Sequence, residues 1–264
     1  MATSELVIER YELKYRIPPD LAPRIRDAVR PFVRPDSASA HGPYTISSLY
    51  FDTTDRLLYQ QTLDQAPRRF KLRVRRYRTG PYFIECKQRI RDVIVKTRVA
   101  ISPEAWPHVL RAPDGERWVT SPRDLQNLGV FTQRLRRTGA APLVVVRYER
   151  EAFVSLVDDY GRVTFDHRLC ALPAVGWELP IDGVGWLPVD SPDRFGLPMS
   201  GVVLELKCTA TVPLWMSDLV REFGLVRTGF SKYCASVERI DEAAGARDRW
   251  MNREAAPWLS RERP

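Results

Sequence analysis

Polar and apolar positions alternate with period two over most of this chain. In residues 69–77, Lys71, Arg73, Arg75 and Tyr77 fall on one face of a strand, and Phe70, Leu72 and Val74 fall on the other. Thr79-Gly80-Pro81 reads as a turn. The return run puts Glu85 and Lys87 on one face and Ile84 and Cys86 on the opposite one. A third run, 93–101, carries Lys96 and Arg98. Like charges facing one another across a sheet cost a few tenths to about 1 kcal/mol per pair, so this surface predicts an anionic counterpart. For any one such strand, a plainly solvated face is the alternative.

The same alternation recurs at 9–17, 44–51, 143–154, 161–169 and 202–207, which makes eight predicted strands. In 9–17, Arg10, Glu12, Lys14 and Arg16 share a face. In 161–169, Arg162, Thr164, Asp166 and Arg168 share one, opposite Val163, Phe165 and Leu169. Helices are predicted at 21–32, with Asp20 as N-cap and Leu21, Ile25, Ala28, Val29 and Phe32 inward, and at 53–65, 103–111, 121–137, 213–223 and 230–243. Polar loops are expected around 113–115 and over 173–198, and the last twenty residues, with Trp250 and Trp258, either dock or stay free. An open sheet wetted on one face gives this alternation too. Arg and Glu together at strand centres favour closure around a charged interior, that is, a ligand tunnel. The expected fold is therefore α+β, an eight-stranded antiparallel β-barrel tunnel with surrounding helices.

Composition narrows the partner more than the fold. The 264 residues suit one large domain, and 41 Lys and Arg against 33 Asp and Glu give a formal charge of +8, which calls for an anion. Nucleic acid, phosphorylated small molecules and an anionic membrane surface all satisfy that. There is no transmembrane segment of about 18 apolar residues and no signal-peptide pattern, so a cytoplasmic protein is expected. Cys86, Cys170, Cys208 and Cys234 lack zinc-site spacing and read as reduced core residues, and three scattered histidines argue against a His-rich metal site. No phosphate-binding Gly-x-x-x-x-Gly-Lys loop occurs, nor any signature of sequence-specific nucleic-acid binding.

Seven short motifs follow one another in a telling order: Lys14, Ser48-Leu-Tyr-Phe-Asp52, Arg73-x-Arg75, Glu85-x-Lys87, Tyr148-x-Arg150-x-Ala-Phe153, Glu205-x-Lys207 and Ser231-Lys232-Tyr233. Together they resemble the polyphosphate polymerase domain of the vacuolar transporter chaperone (VTC) family, a branch of the triphosphate tunnel metalloenzymes that also include the CYTH phosphatases. The resemblance spans residues 9–242 and implies a VTC-type tunnel domain over 5–243 with a C-terminal tail over 244–264. It implies that ATP donates its γ-phosphate to a growing polyphosphate chain inside the tunnel, with Mn²⁺ or Mg²⁺ as cofactor. By position, Lys14, Arg73, Arg75, Lys87, Arg150 and Lys232 would hold phosphates, joined by Arg162 and Lys96. Tyr148 would support them, Glu205 would ligate the metal, and Glu12 would be an accessory metal contact. One departure stands out: CYTH phosphatases begin Glu-x-Glu-x-Lys, whereas Arg10, Glu12 and Lys14 stand here, which favours the polymerase branch. The regulatory domain and membrane helices of eukaryotic members are not in this sequence, so a membrane or transport partner would come from another chain.

The chemistry of these residue types agrees. Phosphoryl transfer asks for charge neutralisation and in-line positioning, which Arg forks, Lys point charges and a metal held by one or two carboxylates provide. Several residues keep two readings. Glu85 is either a partner for Lys87 or a metal ligand, Tyr148 packs or hydrogen-bonds, and Arg162 and Arg168 either hold ligand or pair with Asp166. Asp52 is expected to cap the following helix, and Ser231-Lys232 to open one. A tripolyphosphate or nucleoside triphosphate hydrolase, and a non-catalytic polyanion-binding module, are the alternative functions.

Overall fold

The alternating runs fold into strands β1 (Arg10–Ile17), β2 (Val33–Pro35), β3 (Tyr44–Asp52), β4 (Arg68–Tyr77), β5 (Tyr82–Ile90), β6 (Val93–Ile101), β7 (Ala141–Ser155), β8 (Arg162–Pro173), β9 (Leu187–Pro188) and β10 (Val202–Thr209). The structure, a computed structural model, describes residues 10–91, 93–112, 115–158, 160–189, 201–209 and 211–255. Eight strands pair in the order β1-β10-β8-β7-β3-β4-β5-β6, all antiparallel, with β2 added to β7 and β9 to β8. This is the expected eight-stranded antiparallel sheet, curled into a trough. Its edges are β1 and β6, and the curl brings Glu12 of β1 within 3.6 Å of Lys87 on β5.

Two apolar clusters cover the convex side. One packs Tyr15, Ile17, Phe165, Leu204 and Leu206 beneath α1 (Leu21–Val29) and α5 (Leu214–Glu222), through Ile25, Val29, Met216 and Leu219. The other packs Leu49, Phe51, Leu72, Val74, Ile84 and Val99 beneath α2 (Leu57–Leu63) and α4 (Pro122–Thr138), through Leu58, Leu128 and Phe131. A third lies on the concave side, where Ile46, Tyr50, Val144, Val146, Leu169 and Ala171 meet Tyr233, Cys234 and Val237 of α6 (Lys232–Ala255). Each fully buried Leu, Ile or Phe contributes about 1.5–3 kcal/mol, and a one-residue slip would bury charge on the convex side, so the register is tightly held.

Local chemistry sets the helix ends, not always where the periodicity puts them. Asp52 is the expected cap: its carboxylate accepts the N–H of Leu58 and Tyr59 at 2.8 Å each, so α2 starts at Leu57 and not at Thr53. Asp20 makes no side-chain capping bond, and α1 ends at Val29 because Pro31 follows, leaving a single 3₁₀ turn over Arg30–Phe32. Pro103 and Pro107 likewise reduce the helix expected over 103–111 to a 3₁₀ turn (Pro103–Ala105) and the short α3 (His108–Arg111). Ser121 caps α4 by accepting the Asp124 N–H at 3.4 Å, and Gly139 closes it in the left-handed region.

A bulge re-aims β8. The β7–β8 register shifts between Arg147 and Glu149, and Arg168 sits at φ 51°. Arg168 therefore leaves the face it was expected to share with Asp166, is 78% exposed at its side chain and pairs with Glu149 at 3.2 Å, while Leu169 turns inward. All four cysteines are unpaired, with Cys86, Cys208 and Cys234 buried and Cys170 half-buried. No described helix is long and apolar enough to cross a membrane. The expected tail from 244 begins inside α6. Residues 256–264, with Trp258, and residues 113–114 and 190–198 of the expected loops lie outside the described residues, as do the side chains of 246–255, Trp250 among them.

Candidate active site

The concave face gathers its charges around two buried acidic centres. In the first, Lys14 of β1 lies opposite Glu205 of β10, and Arg150 of β7 lies opposite Asp166 of β8. Arg150 grips Asp166 with two hydrogen bonds, Nε to Oδ1 at 2.6 Å and Nη2 to Oδ2 at 2.7 Å. Lys232, on the first turn of α6, reaches Asp166 at 2.6 Å and Glu205 at 3.2 Å. Glu205 also meets Lys207 at 3.1 Å, Arg150 at 3.7 Å and Lys14 at 3.9 Å. Burial alone would raise both carboxyls. Lys232 beside each, helped by Arg150 at Asp166 and by Lys207 at Glu205, holds them below the ordinary carboxylate range.

The second centre is Glu85, 1% exposed at its side chain, in line with Arg73 of β4 and Arg98 of β6. It is bracketed by Arg73 and Lys96 at 2.7 Å, Arg98 at 3.3 Å and Arg75 at 4.0 Å. Burial opposes its charge, but Arg73 and Arg75 prevail and keep it ionised. Arg73 also donates to the Tyr50 hydroxyl at 3.0 Å. Burial would raise the Tyr50 phenol, yet Arg73 and Arg75 pull it below its ordinary value. The expected pairing of Glu85 with Lys87 is not among its ion pairs: Glu85 sits among Arg73, Arg75, Lys96 and Arg98, and Lys87 pairs with Glu12 instead.

Glu12 links the centres, with Lys14 at 3.0 Å and Lys87 at 3.6 Å. Against the upward push of burial, those lysines lower it to about 2. Lys71 donates to the Ser231 hydroxyl at 2.9 Å, and burial brings its ammonium down to about 8; Lys96 is also brought to about 8 by burial, against the pull of Glu85. Ser231 meanwhile accepts the Cys234 N–H at 3.3 Å and so opens α6. Tyr148 fills both roles foreseen for it: buried among apolar side chains, it lies within 3.4 Å of the Arg75 guanidinium, while its ring underlies Lys232 at 5.1 Å and Arg150 at 5.4 Å.

Lys14, Arg73, Arg75, Lys87, Lys96, Arg150, Lys232, Tyr148, Glu12 and Glu205 are thus brought onto one face. Arg162 shares that face, opposite Lys207 of β10, but makes no ion pair with Glu12, Glu85, Asp166 or Glu205 among the described residues. It lies two residues beyond Thr164, the register partner of Glu205, and is exposed, with its guanidinium 5.7 Å from the Tyr160 ring. Asp166, Lys71, Arg98 and Lys207 join the site beyond the residues expected there; from its own strand alone, Asp166 reads as a partner for Arg162 and Arg168. The β7–β8 register, which sets it against Arg150, was the signal that would have found it.

The balance of charge is lopsided. Among the described residues, nine cations (Lys14, Arg73, Arg75, Lys87, Lys96, Arg98, Arg150, Lys207, Lys232) pair with four carboxylates, and Lys71 adds a tenth. Such a surplus suits an anion carrying several charges. As for a metal, no three acidic, His or Cys side chains converge as a cage among the described residues. Glu205 and Glu12 share Lys14, and Glu205 also meets Lys207, Lys232 and Arg150, so an ion held by this pair would take the place of those cations; Asp166 is gripped more closely, by Arg150 and Lys232 at 2.6 Å each. Two hard carboxylates fit a Mn²⁺ or Mg²⁺ ion that completes its shell with phosphate oxygens and water.

Solved structures that resemble the chain include the following three. A candidate adenylate cyclase from Vibrio parahaemolyticus is 16% identical with a TM-score of 0.42, covering 85% of this chain and 95% of its own. The PH1819 protein from Pyrococcus horikoshii is 14% identical with a TM-score of 0.42, over 85% and 95%. A candidate adenylyl cyclase from Hippeastrum, described as having a dominant triphosphatase activity, is 17% identical with a TM-score of 0.46, over 88% and 96%. No curated protein matches the chain. The model of the VTC domain matches residues 9–240, the whole length over which the curled sheet and its paired cations extend, and the chain belongs to the VTC domain family.

Proposed function

We propose that the protein is a metal-dependent polyphosphate polymerase, which transfers the γ-phosphate of ATP to the end of an inorganic polyphosphate chain lying in the trough. The observation that carries this reading is the surplus of cations over carboxylates on one concave face, together with membership of the VTC domain family. In the reaction, a terminal oxygen of the chain forms a new bond to the γ-phosphorus. The bond from that phosphorus to the oxygen bridging it to the β-phosphorus breaks, and ADP departs with the electron pair. Lys14, Arg73, Arg75, Lys87, Arg150 and Lys232 align donor and acceptor and share the charge that builds on the transferring oxygens. Asp166 holds Arg150 and Lys232 in place, and Tyr148 backs them. A divalent ion held by Glu205 and Glu12 supplies further charge neutralisation at the phosphate oxygens.

The test is phosphorus NMR of the purified chain with ATP and Mn²⁺. Internal phosphoanhydride signals growing as ADP accumulates are expected, and Arg150→Ala or Glu205→Gln abolishes them while the protein stays folded. Orthophosphate without chain signals would reassign the trough to a triphosphate hydrolase. Intact ATP, even with a short polyphosphate primer and other metals present, would leave a binding module. Chain synthesis retained in both variants would overturn the assignment of the site.

A further inference from the structure

The trough changes character along one wall. On β4 its concave side carries Lys71, Arg73, Arg75 and then Tyr77, and beside these on β5 stand Lys87, Glu85 and then Phe83, the register partner of Arg75. On β3, Tyr44 lies opposite Arg150, and Ile46 lies between Tyr77 on one side and Tyr148 on the other. Beyond the last phosphate-holding arginine of this wall, the charged rows give way to three aromatic rings, with Tyr77 roughly 7 Å along the strand from Arg75.

The rings are in contact. Tyr77 meets Phe83 edge-on with centroids 5.7 Å apart, and Tyr44 lies 5.8 Å from Tyr77. Arg98 joins them from β6: its guanidinium carbon is 3.7 Å from the Phe83 centroid, Nη2 donates to the Tyr77 hydroxyl at 3.5 Å, and Nε holds Glu85 at 3.3 Å. One side chain therefore spans the second acidic centre and the aromatic rim. Tyr44, Tyr77 and Phe83 are each half-buried, so each keeps part of its surface free, and Arg98 is exposed. Burial, against the pull of Arg150, raises the Tyr44 phenol above its ordinary value, which keeps that hydroxyl neutral. Such a surface does little for phosphate. Aromatic faces are negative and turn anions away, whereas flat heteroaromatic rings stack on them and on guanidinium planes.

We propose that Tyr44, Tyr77, Phe83 and Arg98 form a nucleobase subsite, which takes the aromatic base of a nucleoside triphosphate while its phosphates lie among the neighbouring cations. The proposal rests on the reading of the trough as a site for that triphosphate. It gives the trough a polarity: the base sits at the rim, and the acceptor chain approaches from the row Lys71, Lys87, Lys96 on the far side of Arg73 and Glu85. Stacking reads the area of a ring and not the pattern of groups on its edge. Purine nucleotides therefore bind more tightly than pyrimidine nucleotides, with little distinction between adenine and guanine.

Calorimetry on the full chain, with divalent metal chelated so that nothing turns over, compares ATP with tripolyphosphate, which has the three phosphates without the nucleoside. Tyr77→Leu and Phe83→Leu are each expected to weaken ATP binding on the order of tenfold, with tripolyphosphate affinity within about twofold of the parent. Tyr77→Phe keeps the ring and binds both ligands as the parent does. Circular dichroism and thermal melting identify a variant that has failed to fold, and in that case the parent decides. Saturation of its aromatic protons is expected to pass to the base protons of ATP more strongly than to the ribose protons, and ATP and GTP are expected to bind ahead of UTP and CTP. Equal weakening of ATP and tripolyphosphate in folded leucine variants, or of neither, would overturn the proposal. So would a parent that binds all four nucleotides alike and shows no excess transfer to the base. Because the assay involves no turnover, a protein that makes no polymer yet shows the ring-dependent preference for ATP retains the subsite while losing the polymerase. Chain synthesis by a protein whose leucine variants bind ATP as the parent does retains the polymerase and loses the subsite.

Discussion

Replacing Asp166 by Asn tests how far the site depends on the carboxylate that grips Arg150 and Lys232. Asp166 is buried and holds Arg150 at 2.6 and 2.7 Å and Lys232 at 2.6 Å. Removing one partner of a buried ion pair costs about 3–5 kcal/mol. Arg150 and Lys232 keep Glu205 at 3.7 and 3.2 Å, and the amide oxygen still accepts one hydrogen bond, so the lower end, about 3 kcal/mol, is expected here. For a chain of this size that lowers the melting midpoint by about 6–12 °C. Asp166 is held below its ordinary pKa, so its contribution is complete above about pH 4 and is lost as the pH falls through its folded value; the variant accordingly loses part of the acid limb of the stability curve. Function should divide. With one negative charge fewer in the trough, tripolyphosphate binds as tightly as before or more tightly. With Arg150 no longer gripped, turnover falls about 100-fold, or about 2.7 kcal/mol of transition-state stabilisation. Calorimetric binding and a turnover assay on the folded variant measure the two separately. A melting change under about 2 °C with full turnover would refute the positioning role.

Three further outcomes follow from the same geometry. Lys71 and Lys96, both depressed to about 8, bind fewer protons folded than unfolded between that value and their ordinary 10.5, so stability gains with pH across this window; phosphate in the trough restores the protons, and tripolyphosphate binding at pH 8.5 should take up on the order of one proton. Binding heats that do not vary with the ionisation enthalpy of the buffer would contradict this. Glu85→Gln should tighten tripolyphosphate binding while lowering the melting midpoint, because it removes a buried counter-charge from four cations; weaker binding that depends on Mn²⁺ would instead make Glu85 a metal ligand. Tyr233→Phe deletes the hydroxyl that donates to Asp52 and should cost about 1–2 kcal/mol in denaturant unfolding, and a loss below about 0.5 kcal/mol would show the bond to be redundant.

Much of the fold could be read from alternation, since a strand with one wet and one dry face writes its geometry directly into the sequence. Leu72 and Val74 opposite Arg73 and Arg75 are an example, and Asp52 ahead of α2 is another, because capping is local chemistry. What escaped the reading depends on partners distant in sequence. The bulge at Arg147 and Glu149 leaves no mark in the composition of β8, so strict alternation carried Arg168 to the wrong face and Leu169 with it. The role of Asp166 comes from Arg150, a strand away, and from Lys232 on a helix that closes the chain. Arg162 lies on the expected face, opposite Lys207, and its exposure there depends on how far the neighbouring strands extend, which alternation does not encode.

Borrowed from chromatography, the cations paired with carboxylates across the trough have a plain meaning: this is a solid ion exchanger whose counter-ions are covalently fixed. At pairings of 2.6 to 3.3 Å, a lone chloride or orthophosphate has to displace a tethered rival one contact at a time. A polyvalent chain displaces several together, and each contact made raises the local concentration of the next phosphate. Selectivity by valence is thereby built into the resting protein, which discriminates against the abundant small anions before it has recognised any particular group on its substrate.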